Sequence, residues 1–244
     1  MTKTFILLAI FLPTIILGQE TKKVTEDHDN PKYKEVFYVL KFDKNTRHGS
    51  YQKLGYKDAV LINGYYKLGV KDSIWTEYRW GGKSKLSEGK YYQDKKINVW
   101  EFFDFKGDLE QKYNFSSNEI VFYKNEDKDK EYKVINGTDT IKTKLERPPL
   151  YIGGTSLIYQ SVSKNINYPE QAKENGTSGK VFVAFTIDQN GKTSDHRVIK
   201  SAGFGFDEEA IRVVKLIPDN WVPALLNGKT VTTEFMLPIS FQMN

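Results

Sequence analysis

Residues 64–82 and 89–107 are copies of one another at an offset of 25, and this repetition constrains the fold more than any other feature of the chain. Gly64, Tyr66, Trp75, Tyr78 and Gly82 correspond to Gly89, Tyr91, Trp100, Phe103 and Gly107, and a partial copy opens at His48-Gly49-Ser50-Tyr51. Units repeated at a fixed period bury a face only by stacking on their neighbours. The alternation in Trp75-Thr76-Glu77-Tyr78 and Trp100-Glu101-Phe102-Phe103 predicts short hairpin strands. The glycines are expected to supply the turns, because glycine takes φ > 0 without steric cost. Aromatic side chains at a strict structural period are expected to form the stacking core, here Tyr66, Trp75, Tyr91 and Trp100. The alternative is an exposed ladder that docks glycan, lipid or protein.

The repeat occupies only part of the chain. Of 34 aromatic residues in 244, 21 lie between Tyr33 and Tyr123, and no proline lies between Pro31 and Pro148. That unevenness predicts two halves built on different rules. Ahead of both, Phe5 to Leu17 is an apolar run broken only by Thr14, with Lys3 before it and Gly18 after it. As a helix it spans about 20 Å, short of the ~30 Å hydrocarbon core. Residues 1–18 are therefore expected to be a signal peptide cleaved before Gln19, with a retained anchor as the alternative.

The signature of the repeat is Gly-x-Tyr, followed eleven residues after the Gly by Trp and then by Tyr or Phe. Over about Arg47 to Leu109 it resembles the MORN-like repeats of bacterial envelope proteins, in a divergent form. Ser73-Ile74 and Asn98-Val99 stand where those repeats carry Asp-Gly. The resemblance implies an all-β domain of hairpins, assigned to residues 19–146. Within it, Tyr132 to Ile135, Asn136-Gly137 and Thr138 to Thr143 read as a hairpin with a type I′ turn. Residues 147–150, Arg147-Pro148-Pro149-Leu150, read as an extended, semi-rigid linker.

After the linker the pattern changes. Pro169 suits the first turn of a short helix, and Gly179 to Asp188 is long enough for a central strand, turned by Gln189-Asn190-Gly191. A second strand closes at Val198 to Gly203. Asp207 is expected to cap a helix whose apolar face is Ala210, Ile211, Val214 and Ile217, with Glu208 and Glu209 in the first turn. In the last strand Val231, Phe235, Leu237, Ile239 and Phe241 fall on one face, with Thr232, Glu234, Ser240 and Gln242 on the other.

This order and these residues resemble the TonB C-terminal domain family over about Tyr151 to Met243, so residues 151–244 are assigned to it. The matching motifs are Tyr168-Pro169, Gly179-x-Val181, Ser201-x-Gly203, Asp207-x-x-Ala210, Trp221-x-Pro223-Ala224, Gly228-Lys229 and Leu237-Pro238-Ile239-x-Phe241, after the lead-in Tyr151-Ile152-Gly153-Gly154. The resemblance implies an α+β domain with a three-stranded antiparallel sheet and two helices. It also implies peptide recognition in TonB-dependent transport rather than catalysis. The partner would be a TonB-dependent outer-membrane receptor or another envelope protein, whose extended segment adds to the sheet edge. By position, the pairing strand is Thr230, Val231, Thr232, Thr233, Glu234, Phe235 and Met236. Pro238 lacks an N–H, so donation must use the part before it. Tyr168 and Pro169 are a second contact candidate, or a packing pair at a helix start.

The resemblance departs from a full energy transducer, which keeps a membrane helix on a proton-driven motor and crosses the periplasm on a long Pro-rich linker. Here a short apolar run and an aromatic repeat stand in those places. The expectation is a periplasmic adaptor. Inner-membrane motor proteins become partners only if residues 1–18 remain attached, and a purely structural envelope scaffold is a further alternative. No cofactor is implied. Zero cysteines exclude thiolate metal sites, Cys nucleophiles and a Cys-linked lipid anchor. His28, His48 and His196 are scattered, and no catalytic or metal-ligand spacing occurs. A net charge of +5 with interspersed signs does not form the basic stripe of a nucleic-acid binder.

Overall fold

A computed structural model of the chain describes residues 20–125 and 129–243. The expected leader, residues 1–18, lies outside the described residues.

The repeat half is a single antiparallel meander of nine strands, each paired with its neighbour in sequence. They are β1 (Thr21–Asp29), β2 (Lys32–Leu40), β3 (Arg47–Leu54), β4 (Val60–Lys67), β5 (Val70–Tyr78), β6 (Lys85–Tyr92), β7 (Lys95–Phe103), β8 (Leu109–Asn114) and β9 (Glu119–Tyr123). The 25-residue period is a hairpin period. Leu68-Gly69 turns β4 into β5 and Gln93-Asp94 turns β6 into β7, all four residues at positive φ as the two-residue hairpin turn requires. Ser73 (φ 64°) and Asn98 (φ 57°), also 25 apart, sit in the left-handed region shortly before each tryptophan.

Trp75 (3% exposed) and Trp100 (1%) are core residues. Tyr66, Trp75, Tyr91, Trp100 and Phe115 form a chain of edge-to-face contacts at 5.1–6.0 Å, the geometry favoured by ring quadrupoles. Each indole is pinned in the same way, Trp75 Nε1 donating to Tyr65 O and Trp100 Nε1 to Lys90 O, both at 3.2 Å. Arg47, Lys71 and Lys96 lie over rings of this stack, at 4.2 Å from Phe37, 4.4 Å from Trp75 and 4.2 Å from Trp100. Burial in this apolar setting lowers the Lys96 pKa from its ordinary value.

The repeat glycines serve a different purpose from the one expected. Gly64 and Gly89 are not left-handed. They lie within strands, and a Cβ on them would stand 2.3 Å from the Trp75 indole and 2.2 Å from the Trp100 indole. Glycine is needed there for close approach of a ring to the backbone, while Gly82 and Gly107 do serve turns at positive φ.

The C-terminal half contains β10 (Glu131–Asn136), β11 (Asp139–Lys144), β12 (Leu150–Tyr151), α1 (Gly154–Asn165), α2 (Glu170–Glu174), β13 (Gly179–Ile187), β14 (Thr193–Lys200), α3 (Phe206–Lys215), β15 (Trp221–Val222), β16 (Ala224–Leu226) and β17 (Lys229–Phe241). The expected antiparallel strands β14, β13 and β17 are present, but within a six-stranded sheet ordered β11-β10-β17-β13-β14, with β16 also on β17. The hairpin β10–β11, assigned from sequence to the repeat half, pairs with β17 instead. Three helices stand where two were expected. Ile158 and Val162 of α1, Ala172 of α2 and Ala210, Val213 and Val214 of α3 join Val181, Val183, Phe185, Leu237 and Ile239 in one core. Asp207 does not cap its helix: Gly205 holds that position, and the Asp207 carboxylate accepts from Ser201 Oγ at 2.5 Å and Ala202 N at 3.0 Å.

The segment expected to be a linker is part of the packing. Leu150 and Tyr151 pair with Val222 and Trp221, and Arg147 pairs with Leu225 and donates to Pro223 O at 3.0 Å. The halves meet at the start of α1. Gln111, 2% exposed, donates to Tyr151 O at 3.0 Å and accepts from Gly153 N at 2.7 Å. Glu110 accepts from Thr155 N and Oγ1 at 2.8 and 2.6 Å, placing an anion where the first helical N–H groups lack partners. Ile152, Leu157 and Val222 pack on the aromatic core of the repeat.

Candidate strand-binding edge of the C-terminal sheet

Asn227 and Gly228, both at positive φ, turn β16 into β17, and the β-branched run Val231-Thr232-Thr233 favours extension. One side of β17 is fully used. Residues Thr233 to Phe241 pair in unbroken register with Ile187 to Gly179 of β13, with Pro238 opposite Phe182. A proline cannot donate into a ladder, so the residues that share its parity, Thr232, Glu234 and Met236, turn their backbone groups away from β13.

On that outer side β10 is already in place. Lys133, Val134 and Ile135 stand opposite Glu234, Thr233 and Thr232, and Val134 is 5% exposed. The Glu234 carboxylate lies 3.3 Å from Lys133 Nζ and is also paired with Arg197. Thr233 is fully buried, and its Oγ1 has no hydrogen-bond partner among the described residues. Beyond Glu234 the pairing with β10 stops. Met236 is 52% exposed, and with Phe182, Pro238, Lys130 and Lys142 it lines a cavity of about 620 Å³. Before Thr232, Lys229, Thr230 and Val231 are held by β16.

The expected site residues therefore divide. Thr232, Thr233 and Glu234 are paired internally, Phe235 and Met236 continue the strand, and Thr230 and Val231 belong to the β16 hairpin. Tyr168 and Pro169 are elsewhere. The Tyr168 hydroxyl donates to Thr177 O at 2.5 Å and its ring packs on Phe206 and Phe241. Phe241 is seven residues, or about 23 Å along the strand, from Glu234. Pro169 precedes α2, where its carbonyl accepts from Ala172 N and Lys173 N at 3.1 Å, and it lies beside Gly205.

The histidines do not converge. His48 Nδ1 accepts from Leu68 N at 3.2 Å. His196 stacks on Phe185 at 5.2 Å, and burial pushes its pKa down. Glu26, His28 and Glu35 bring donor atoms within 4.8 Å of one another, but the Glu35 carboxylate is in use. It accepts from Tyr51 Oη at 2.5 Å and Arg47 Nη2 at 3.1 Å. Burial opposes its ionisation, yet these two partners hold its pKa below the ordinary value.

Residues 164–243 match the model of the family described as Gram-negative bacterial TonB protein C-terminal, about a third of the chain. The chain thus carries a TonB-type C-terminal domain. A solution NMR structure of the Helicobacter pylori TonB C-terminal domain is 25% identical, over 36% of this chain and 78% of that one, with a TM-score of 0.29. No curated protein matches the chain. Among the described residues no helix is long and apolar enough to cross a membrane.

Proposed function

We propose that this chain is a periplasmic TonB-like protein that binds an extended segment of an outer-membrane receptor, or of another envelope partner, by β-strand addition in TonB-dependent transport. The observation that carries the reading is the family match over residues 164–243. The sheet supplies a mechanism. Pro238 cannot donate to β13, and by that parity the backbone groups of Thr232, Glu234 and Met236 would face the outer side, where a strand-adding ligand pairs. Main-chain hydrogen bonds would supply affinity, and the Glu234 carboxylate with the Met236–Pro238 cavity would supply selectivity. The protein acts by binding rather than by catalysis. The nine-stranded sheet, read as divergent MORN-like repeats, serves as a rigid body that presents the C-terminal domain through Gln111 and Glu110.

Thr232→Pro removes one outward N–H. A synthetic peptide from the periplasmic segment of an outer-membrane receptor is expected to lose binding to it in calorimetry, with circular dichroism unchanged. Equal affinity in a folded variant would move the site off this edge. Mass spectrometry of the exported protein should find a chain beginning at Gln19; an intact leader would favour an anchored transducer.

A further inference from the structure

The outward side of Thr232 to Glu234, where an incoming strand would add, is occupied by the chain's own β10. The contact is short. β10 meets β17 over three residue pairs, whereas β13 meets it over nine. On the far side, among the described residues, β10 pairs with β11, which is largely exposed, with Ile141 at 55%. A two-stranded hairpin has little stability of its own, so this element depends on its contacts with the sheet, among them the buried Val134 and the Lys133–Glu234 pair. Its departure would not strand the Glu234 charge, because Arg197 remains beside it.

β10 also fits the edge imperfectly. Val134 stands opposite Thr233, whose buried hydroxyl it cannot satisfy. Directly opposed side chains on an antiparallel pair lie close enough to interact, and Thr–Thr or Thr–Ser pairs hydrogen-bond across the strands. A foreign strand with a hydroxyl residue at the Val134 position would therefore recover a bond that the resident strand forgoes. A cation at the Lys133 position would preserve the pairing to Glu234.

We propose that the Glu131–Lys144 hairpin is a resident occupant of this edge, and that a partner segment enters by exchanging with β10. The segment that fits is extended and antiparallel to β17, with a cation followed directly by Thr or Ser. The inference rests on the strand-addition reading above and adds its occupant and its selectivity. A tethered strand competes at an effective concentration on the order of millimolar. Free peptide therefore binds the wild-type chain weakly, and loosening the hairpin raises its apparent affinity in proportion to the open fraction.

The chain has no cysteine, which makes a lock clean to install. Ile135→Cys with Thr232→Cys joins two opposed residues, whose Cα separation in either kind of antiparallel pair suits a disulfide. The probes are two labelled peptides, one copying residues 131–136 and one copying them with Val134→Thr. Both are expected to bind the reduced chain and to lose binding on oxidation, with recovery on adding reductant. The threonine peptide should bind several-fold tighter, for the hydrogen bond it gains. Val134→Asp, which puts a charge at a buried position, should raise the affinity of both by about tenfold or more. Equal binding to locked and reduced chain would overturn the exchange. Equal affinity of the two peptides would overturn the selectivity. Binding of neither peptide to the reduced lock or to folded Val134→Asp would remove strand addition at this edge altogether.

Discussion

The two sheets of this molecule solve the same problem in opposite ways. In the nine-stranded meander each strand pairs only with its neighbours in sequence among the described residues, and one motif, an indole laid on a glycine, appears twice at a spacing of 25 residues. In the C-terminal sheet the central strand β17 pairs with β13, β10 and β16, the first two from far earlier in the chain. The meander concentrates stability in identical local contacts and leaves no choice of partner. The C-terminal sheet is assembled from distant strands, and one of its pairings is three residues long. A surface that exchanges strands must come from the second kind of sheet.

Breaking the meander should have the largest effect. Trp100→Ala removes a fully buried indole and is expected to cost about 3–5 kcal/mol. Gly89→Ala, which drives a methyl into the same ring, should cost about 1–3 kcal/mol or more. Denaturant titration followed by tryptophan fluorescence and by far-ultraviolet dichroism should show both losses in the repeat half. A change below 1 kcal/mol in either variant would mean that the indole–glycine stack does not hold that sheet together.

Gln111→Ala tests whether the halves are one body. It leaves Tyr151 O and Gly153 N without their partner, at about 1–3 kcal/mol for each buried unpaired group. Because those groups lie between the sheets, the wild-type chain is expected to unfold in one transition and the variant in two, as read by calorimetry. A transition that stays single with an unchanged midpoint would mean that Gln111 couples nothing.

Ser73→Gly sharpens the comparison in the other direction. Ser73 is exposed and left-handed at φ 64°, so glycine should relieve strain and raise stability by about 0.5–1 kcal/mol, seen as a higher Tm. A lower Tm would show that the hydroxyl bond to Asp72 outweighs the strain.

The smallest expected effect is a pH dependence confined to the C-terminal sheet. His196 has its pKa lowered by burial, with Lys215 adding to the shift, so the unfolded chain binds a proton more readily. Stability from this group is complete above the ordinary histidine pKa near 6.5 and falls as pH drops below it towards the folded value. Replacing His196 with Asn should flatten that slope in denaturant midpoints taken from pH 7 to pH 5. An unaltered slope would assign it elsewhere.

Legibility followed the same division. The repeat, its strands and its buried tryptophans were readable because each unit meets only its neighbours, so the period in the sequence is the period in space. The purpose of Gly64 and Gly89 was not, since extended glycine under a ring and left-handed glycine in a turn leave the same letter. Helix α1 was hidden by its start at Gly153-Gly154 and its polar run Thr155-Ser156; its N-terminus is satisfied by Glu110 from the other half, a partner no local pattern announces. The strand β17 was visible in sequence, as was the missing N–H of Pro238, but the strand lying on its edge was not.

What the sequence determined by itself is therefore what short-range physics determines: the hairpins, their turns, the apolar faces of the strands, and the motifs of a TonB-type C-terminal domain. Even the β10–β11 hairpin was evident as a hairpin, although its turn is Gly137-Thr138 with only Gly137 at positive φ, so it is not the type I′ turn at Asn136-Gly137 that was expected. Only the tertiary structure decided where that hairpin goes. Val134 meets Thr233 across nearly a hundred residues of chain. An edge strand carries the same unpaired amides whichever sheet it joins, so its allegiance depends on which buried side chains await it.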